Sequence, residues 1–239
     1  MNRKLILFFL IFTLCLGFVS ADTYLKKVTH SQAMGQTKDT ISEIWFTANS
    51  VATKNGDVRV IFKGNENKLY FVNDKTHKYA VFSLPIQLPP QMEQMMKMFN
   101  LKFNLKKTGE TAKINNWNCE KFIVTSTQDN NAPMKISMNM EIYATKDIKV
   151  NTNLFEKFNQ VMAFSNPMVK NMVEEMKKLN GAYPVKTTIT MGMMGKNTKT
   201  ASEIKEVKYG SAPASFFGVP SGYQKMEGNF MQVMQNLNK

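Results

Sequence analysis

The sequence predicts an α+β fold in one domain, with antiparallel strands leading and short amphipathic helices set among later strands. Three observations predict it. Between residues 22 and 83, short β-like runs alternate with turn signals. Their spacing is too tight for parallel strands, which need a dozen or more connecting residues. Met134, Ile136, Met138, Met140 and Ile142 alternate with polar residues, the period-2 signature of a half-buried strand. Residues 154–179 and 225–237 instead space their apolar residues at helical intervals.

The first 21 residues are expected to be an address rather than structure. Arg3 and Lys4 precede an apolar run from Leu5 to Phe18, and Val19-Ser20-Ala21 presents small residues at a cleavage position. This reads as a secretory signal peptide. The run falls short of the roughly 20 apolar residues needed to cross a bilayer. A single domain over 22–239 remains, exported to the periplasm or secreted. Cys119 is its one cysteine, so no internal disulfide can form. It stands before Phe122-Ile123-Val124 and is expected to act as a small buried hydrophobe at a strand start.

Strands are expected at 57–62, 69–72 and 79–82, with Asn55-Gly56-Asp57, Gly64-Asn65 and Asn73-Asp74 as hairpin punctuation. Pro90 then suits the start of a short helix. In that helix Met92, Met95, Met96 and Phe99 fall at i, i+3, i+4 and i+7, one apolar stripe. Strands resume at 102–107 and about 113–126, followed by the alternating run through Met138 and Met140. In the 154–179 helix, Phe155, Phe158 and Met162 share a face; Pro167 interrupts the run. Met168, Met172 and Met176 follow at i, i+4 and i+8, and Asn180-Gly181 is the expected C-cap. Val185, Thr187, Ile189, Met191 and Met193 line one face of the next strand, which turns at Gly195-Lys196-Asn197 into a strand over 200–209. A terminal helix closes the chain.

Three blocks carry a resemblance. Val58-Arg59-Val60 leads through Lys68-Leu69-Tyr70-Phe71-Val72-Asn73-Asp74 to Lys78-Tyr79. Thr108-Gly109-Glu110-Thr111-Ala112-Lys113-Ile114-Asn115 leads into Cys119-Glu120-Lys121-Phe122. Ala212-Pro213-Ala214-Ser215-Phe216-Phe217-Gly218-Val219-Pro220-Ser221-Gly222-Tyr223 is loop-like. The first block resembles the N-terminal sheet of the outer-membrane lipoprotein carrier (LolA-like) superfamily. The other two resemble secreted bacterial domains of unknown function thought to share that carrier fold. The resemblance implies a curved, open antiparallel β-sheet, a half-barrel, wrapped around a few amphipathic helices and enclosing a cavity for acyl chains. It also implies that Arg59 matches an arginine the carriers place near that cavity.

Composition narrows the function. The chain has 19 methionines, and 17 of them follow residue 91, mostly on the apolar faces of the predicted elements. If those faces converge, a flexible, polarizable interior results, suited to varied apolar ligands. The candidate ligand-binding residues are therefore Arg59, Met92, Met95, Met96, Phe99, Met138, Met140, Met168, Met172, Met176 and Met191. An alternative is an envelope protein of structural or interaction type, its sheet filled by its own side chains. A minor one is copper(I) held by thioethers, although His30 and His77 lie outside the methionine clusters. No Gly-x-Ser-x-Gly elbow, His-Glu-x-x-His helix or phosphate-cradling glycine loop occurs. The expectation is a binding protein without catalytic, cofactor or metal sites. The formal charge of +13 predicts attraction to anionic membrane surfaces. Nucleic acid is not expected as a partner of an exported chain with almost no arginine. A monomer is expected.

Overall fold

The computed structural model describes residues 21–33, 35–86, 101–128, 135–164, 170–193 and 195–237. The expected leader, the expected helix with Met92, Met95, Met96 and Phe99, and also Met134 and Met168, lie outside these residues.

Twelve strands form one large, open, curved sheet. They are β1 (Asp22–Ala33), β2 (Gln36–Phe46), β3 (Ser50–Asn55), β4 (Val58–Lys63), β5 (Lys68–Asn73) and β6 (Lys78–Ser83), then β7 (Leu101–Ile114), β8 (Trp117–Gln128), β9 (Ile136–Thr145), β10 (Tyr183–Met193), β11 (Lys196–Gly210) and β12 (Gln224–Lys225). Their spatial order is β12-β6-β5-β4-β3-β2-β1-β11-β10-β9-β8-β7. From β1 to β6 consecutive strands pair antiparallel, so the expected meander is present. The two halves meet where β1 pairs antiparallel with β11, Leu25 opposite Val207. Among the described strands, β12 alone runs parallel to its neighbour, β6.

Helices occur in the expected stretches, and the terminal one is shorter than expected. They are α1 (Thr152–Phe164), α2 (Lys170–Met176) and α3 (Phe230–Asn236), with a 3-10 turn at Lys177–Leu179. Asn180 adopts left-handed backbone and donates its N–H to Lys177 O, as the predicted C-cap requires. The terminal helix contracts because Gln224–Lys225 is drawn onto β6 as a strand. Asn229 then caps α3, its side chain accepting from Gln232 N in a capping box.

The strands expected at 102–107 and 113–126 are differently divided. β7 runs unbroken from Leu101 to Ile114, with a register irregularity between Lys107 and Thr111. Gly109, at φ +85°, belongs to that irregularity, and the reversal occurs at Asn115-Asn116, where Asn115 takes φ 52°. A glycine inside a strand signals a bulge as readily as a turn.

The helices cover one face of the sheet. Beneath α1 and α3 lies a core that includes Leu25, Ile44, Phe46, Phe62, Phe71 and Ile204. Beneath α2 lies a second core built on β7–β10, where Phe122, Met138, Met140 and Ile142 pack together. The strict alternation of β9 puts Ile136, Met138, Met140 and Ile142 inward and their neighbours outward. Cys119 is 1 % exposed within the first core, and burial raises its thiol pKa, so it behaves as the expected apolar residue. A smaller cluster of Ala52, Ile61 and Val72 occupies the opposite face.

Candidate functional site

The pocket begins with the placement of α1. Asn151 starts the helix by accepting from Leu154 N (3.1 Å) and anchors it by donating Nδ2 to Ala48 O (3.1 Å), in the turn after β2. The apolar stripe of α1 then faces the sheet. Phe155 packs on Phe46 and on Tyr183, with ring centroids 6.0 and 5.1 Å apart, and Phe158 packs on Phe62.

The helix α2 is fixed differently. Its Asn171 Nδ2 donates to Leu101 O (2.8 Å), and its Glu175 carboxylate accepts from Leu105 N (2.7 Å). Both partners belong to β7. With that edge held, Val173 turns inward and Met172 and Met176 rest on the second core.

Between α1 and α2 opens a pocket of about 460 Å³. Phe155 and Met162 of α1 form one wall, and Met172 and Met176 of α2 form the other. Ala182 and Tyr183, at the start of β10, contribute the base. Gly181 lies beside the pocket at φ +78°, backbone that favours glycine. Polar groups are few: Thr152, Glu156, Asn159 and Lys177 also line the pocket. Lys177 is engaged by Glu174 of its own turn. Tyr183 is 6 % exposed, and burial raises its phenol pKa well above the usual value, so it is neutral. Its hydroxyl makes no hydrogen bond among the described residues.

Of the residues the sequence nominated, Met172 and Met176 line this pocket. Met138 and Met140, 7 % and 3 % exposed, lie in the core on which α2 rests, and Met191 packs against the same core. The structure thus brings five of the nominated methionines to one side of the sheet. Met92, Met95, Met96, Phe99 and Met168 lie outside the described residues.

Arg59 is elsewhere. It shares a face with Ile61, opposite the helices, and is 4 % exposed. Its Nε and Nη2 donate to the Asp74 carboxylate, the shortest contact being 2.7 Å. Its Nη1 donates to the carbonyls of Ser215 (2.9 Å) and Gly218 (2.8 Å). Tyr223 completes the arrangement by donating to Asp74 (3.3 Å). Arg59 therefore holds the 212–223 strap onto the sheet, and it is not among the residues that line the pocket between α1 and α2.

Sequence reasoning placed Phe155 and Met162 on the correct helix face but did not nominate them, and it missed Tyr183. The available signal was an aromatic two residues after the Asn180-Gly181 cap, where the chain must turn back onto the sheet.

A family model described as "Domain of unknown function (DUF4412)" matches residues 26–223. None of the curated proteins matches the chain. Among solved structures, PNGF-II in a C2 crystal form is 14 % identical, with a TM-score of 0.43, over 92 % of this chain. The chain spans 33 % of that protein's length. A LolA superfamily protein, NE2245 from Nitrosomonas europaea, is 8 % identical with a TM-score of 0.31, over 84 % of this chain and 91 % of that one. A putative outer membrane lipoprotein-sorting protein domain from Vibrio parahaemolyticus is 8 % identical with a TM-score of 0.33, over 83 % and 89 %.

Proposed function

The chain belongs to the DUF4412 family, and within it we propose an exported, non-catalytic binding protein that holds the apolar part of a ligand between α1 and α2. The observation that carries this reading is the pocket. At about 460 Å³ it falls in the range of small-molecule sites, and its walls are methionine and phenylalanine with a few polar groups. Met162, Met172 and Met176 give walls that re-form around chains of different shape. A neutral Tyr183 hydroxyl at the base suits an oxygen acceptor on an otherwise apolar molecule. An acyl chain meets both requirements.

The test is native mass spectrometry of protein purified without detergent, with extraction of any bound lipid. A bound amphiphile is expected, and Ala182→Trp, which fills the pocket from its base, should reduce its occupancy at least about tenfold. Protein that emerges empty and takes up no long-chain alcohol would overturn the reading. It would favour instead an envelope protein whose interior is filled by its own side chains.

A further inference from the structure

Lys27 lies in the middle of β1 and faces the helix-bearing side of the sheet. Its position follows from strand alternation: Thr23 and Leu25, two and one steps earlier on the same face, are buried. Its cross-strand neighbours are Ser42 on β2 and Ile204 on β11, both buried on that same side.

The charges on the two faces of these strands are treated differently. On the outer face Lys26 lies opposite Glu43 on β2 and Glu206 on β11, so opposite charges adjoin. On the inner face Lys27 is largely withdrawn from water, yet it makes no ion pair or hydrogen bond among the described residues. Burial alone pushes its ammonium pKa below the usual lysine value. The Ser42 hydroxyl beside it is also without a hydrogen-bond partner among the described residues. One row further along, Thr29, Thr40 and Ser202 align across β1, β2 and β11. Removing a lone ammonium from water is costly unless something opposite in charge meets it.

The apolar surface starts next to this polar strip. Thr187 pairs with Ser202, and the half-buried Ile189 and Met191 follow on the same face of β10, opposite the buried Met140 and Met138 of β9. Strands spaced about 4.8 Å apart place that surface roughly 10 Å from Lys27, within the length of a short alkyl chain.

We propose that Lys27, with the Ser42 hydroxyl, receives the anionic head (carboxylate or phosphate) of a single-chain amphiphile whose chain lies along the half-buried Ile189 and Met191 of β10. The inference rests on the apolar-ligand reading above and adds the charge of the ligand and the residue that meets it. An anion at Lys27 neutralises the unpaired ammonium, and the hydroxyls satisfy its remaining oxygens.

The experiment compares three probes of equal chain length on the full mature protein: dodecanoate, dodecyl phosphate and dodecanol. Binding is measured for wild type, Lys27→Met and Lys27→Arg. The wild type should favour at least one anion over the alcohol by about tenfold or more, the scale of one charge-assisted contact. Lys27→Met should lose that preference, and Lys27→Arg should keep it. The variant removes a lone charge from the interior, so it should fold with a melting temperature at or above that of wild type. The anion preferred distinguishes a carboxylate head from a phosphate head. An unaltered preference in Lys27→Met, or none in wild type, overturns the assignment to Lys27 and leaves the apolar-ligand reading in place. Failure of all three probes to bind overturns both.

Discussion

At residue scale, Arg59 is the most heavily used polar side chain described. It joins Asp74, at the end of β5, to strap carbonyls more than 150 positions later in the chain. Removing one member of such a buried arrangement typically costs about 3–5 kcal/mol, because the others are left without partners. Arg59→Met is therefore expected to lower the denaturant midpoint by that order and to open residues 212–223 to protease. An unchanged midpoint together with a protected strap would refute the clamp. Lysine is no substitute, since one ammonium cannot serve a carboxylate and two carbonyls from a planar fork. The sequence could not place this arginine. β4 is apolar on both faces, with Val60 and Phe62 packed against the helices and Ile61 packed under the strap. Alternation names a face only when one side is polar. β9 met that condition, and its methionines were readable for the same reason.

At the scale of elements, α2 is a helix of seven residues, too short to persist by itself. Two side chains tie it to β7, and one of them titrates. Glu175 has its carboxyl pKa held below the ordinary value by its contacts with Lys178 and with the Leu105 N–H. A depressed folded pKa means that this contribution is fully present above the unfolded value of about 4.5. It disappears as pH falls through the folded value. Amide exchange at Leu105, corrected for intrinsic rates, should therefore accelerate below about pH 4.5. Glu175→Gln should flatten that pH dependence. An identical acid profile in the variant would assign the loosening to other groups. The β7–β8 hairpin marks where local reading stopped. Thr108-Gly109-Glu110 resembles a turn, but its chain stays in β7 and passes through a register irregularity instead. The real turn is selected in part by Asn115 Nδ2, which donates to Ile204 O (2.9 Å) on β11, a contact 89 positions away. No local pattern records a partner that distant.

For the whole molecule, the positive charge is arranged rather than merely abundant. Lys107, Lys205 and Lys208 each contact a glutamate at 2.6 Å, whereas Lys102 and Lys106 stand exposed on alternate positions of β7. Exposed pairs of this kind contribute little to stability. They leave the net excess intact, at +11 once Arg3 and Lys4 are removed with the expected leader. The mature protein should bind vesicles containing acidic lipid at low ionic strength. That binding should fall away between about 0.01 and 0.15 M salt, as the screening length shrinks from about 30 to about 8 Å. Binding indifferent to salt would remove charge as the cause. The methionine bias was legible at this scale, since inward faces could be read element by element. The base of the pocket was not, because Tyr183 reaches α1 only through the order in which β10 joins the sheet.

The margins of the sheet have a bearing on how the protein survives at high concentration. An open sheet ends in strands whose outer amides and carbonyls can recruit a strand from another molecule. Here, at one margin, Leu101 O and Leu105 N are already occupied by Asn171 and Glu175. At the other, His77 O and Tyr79 O accept from Gln224 N (2.8 Å) and Met226 N (2.7 Å). A neighbouring copy arriving edge-on at these positions meets groups that the chain already uses itself. Those positions on the two margins are closed to strand addition by the chain itself.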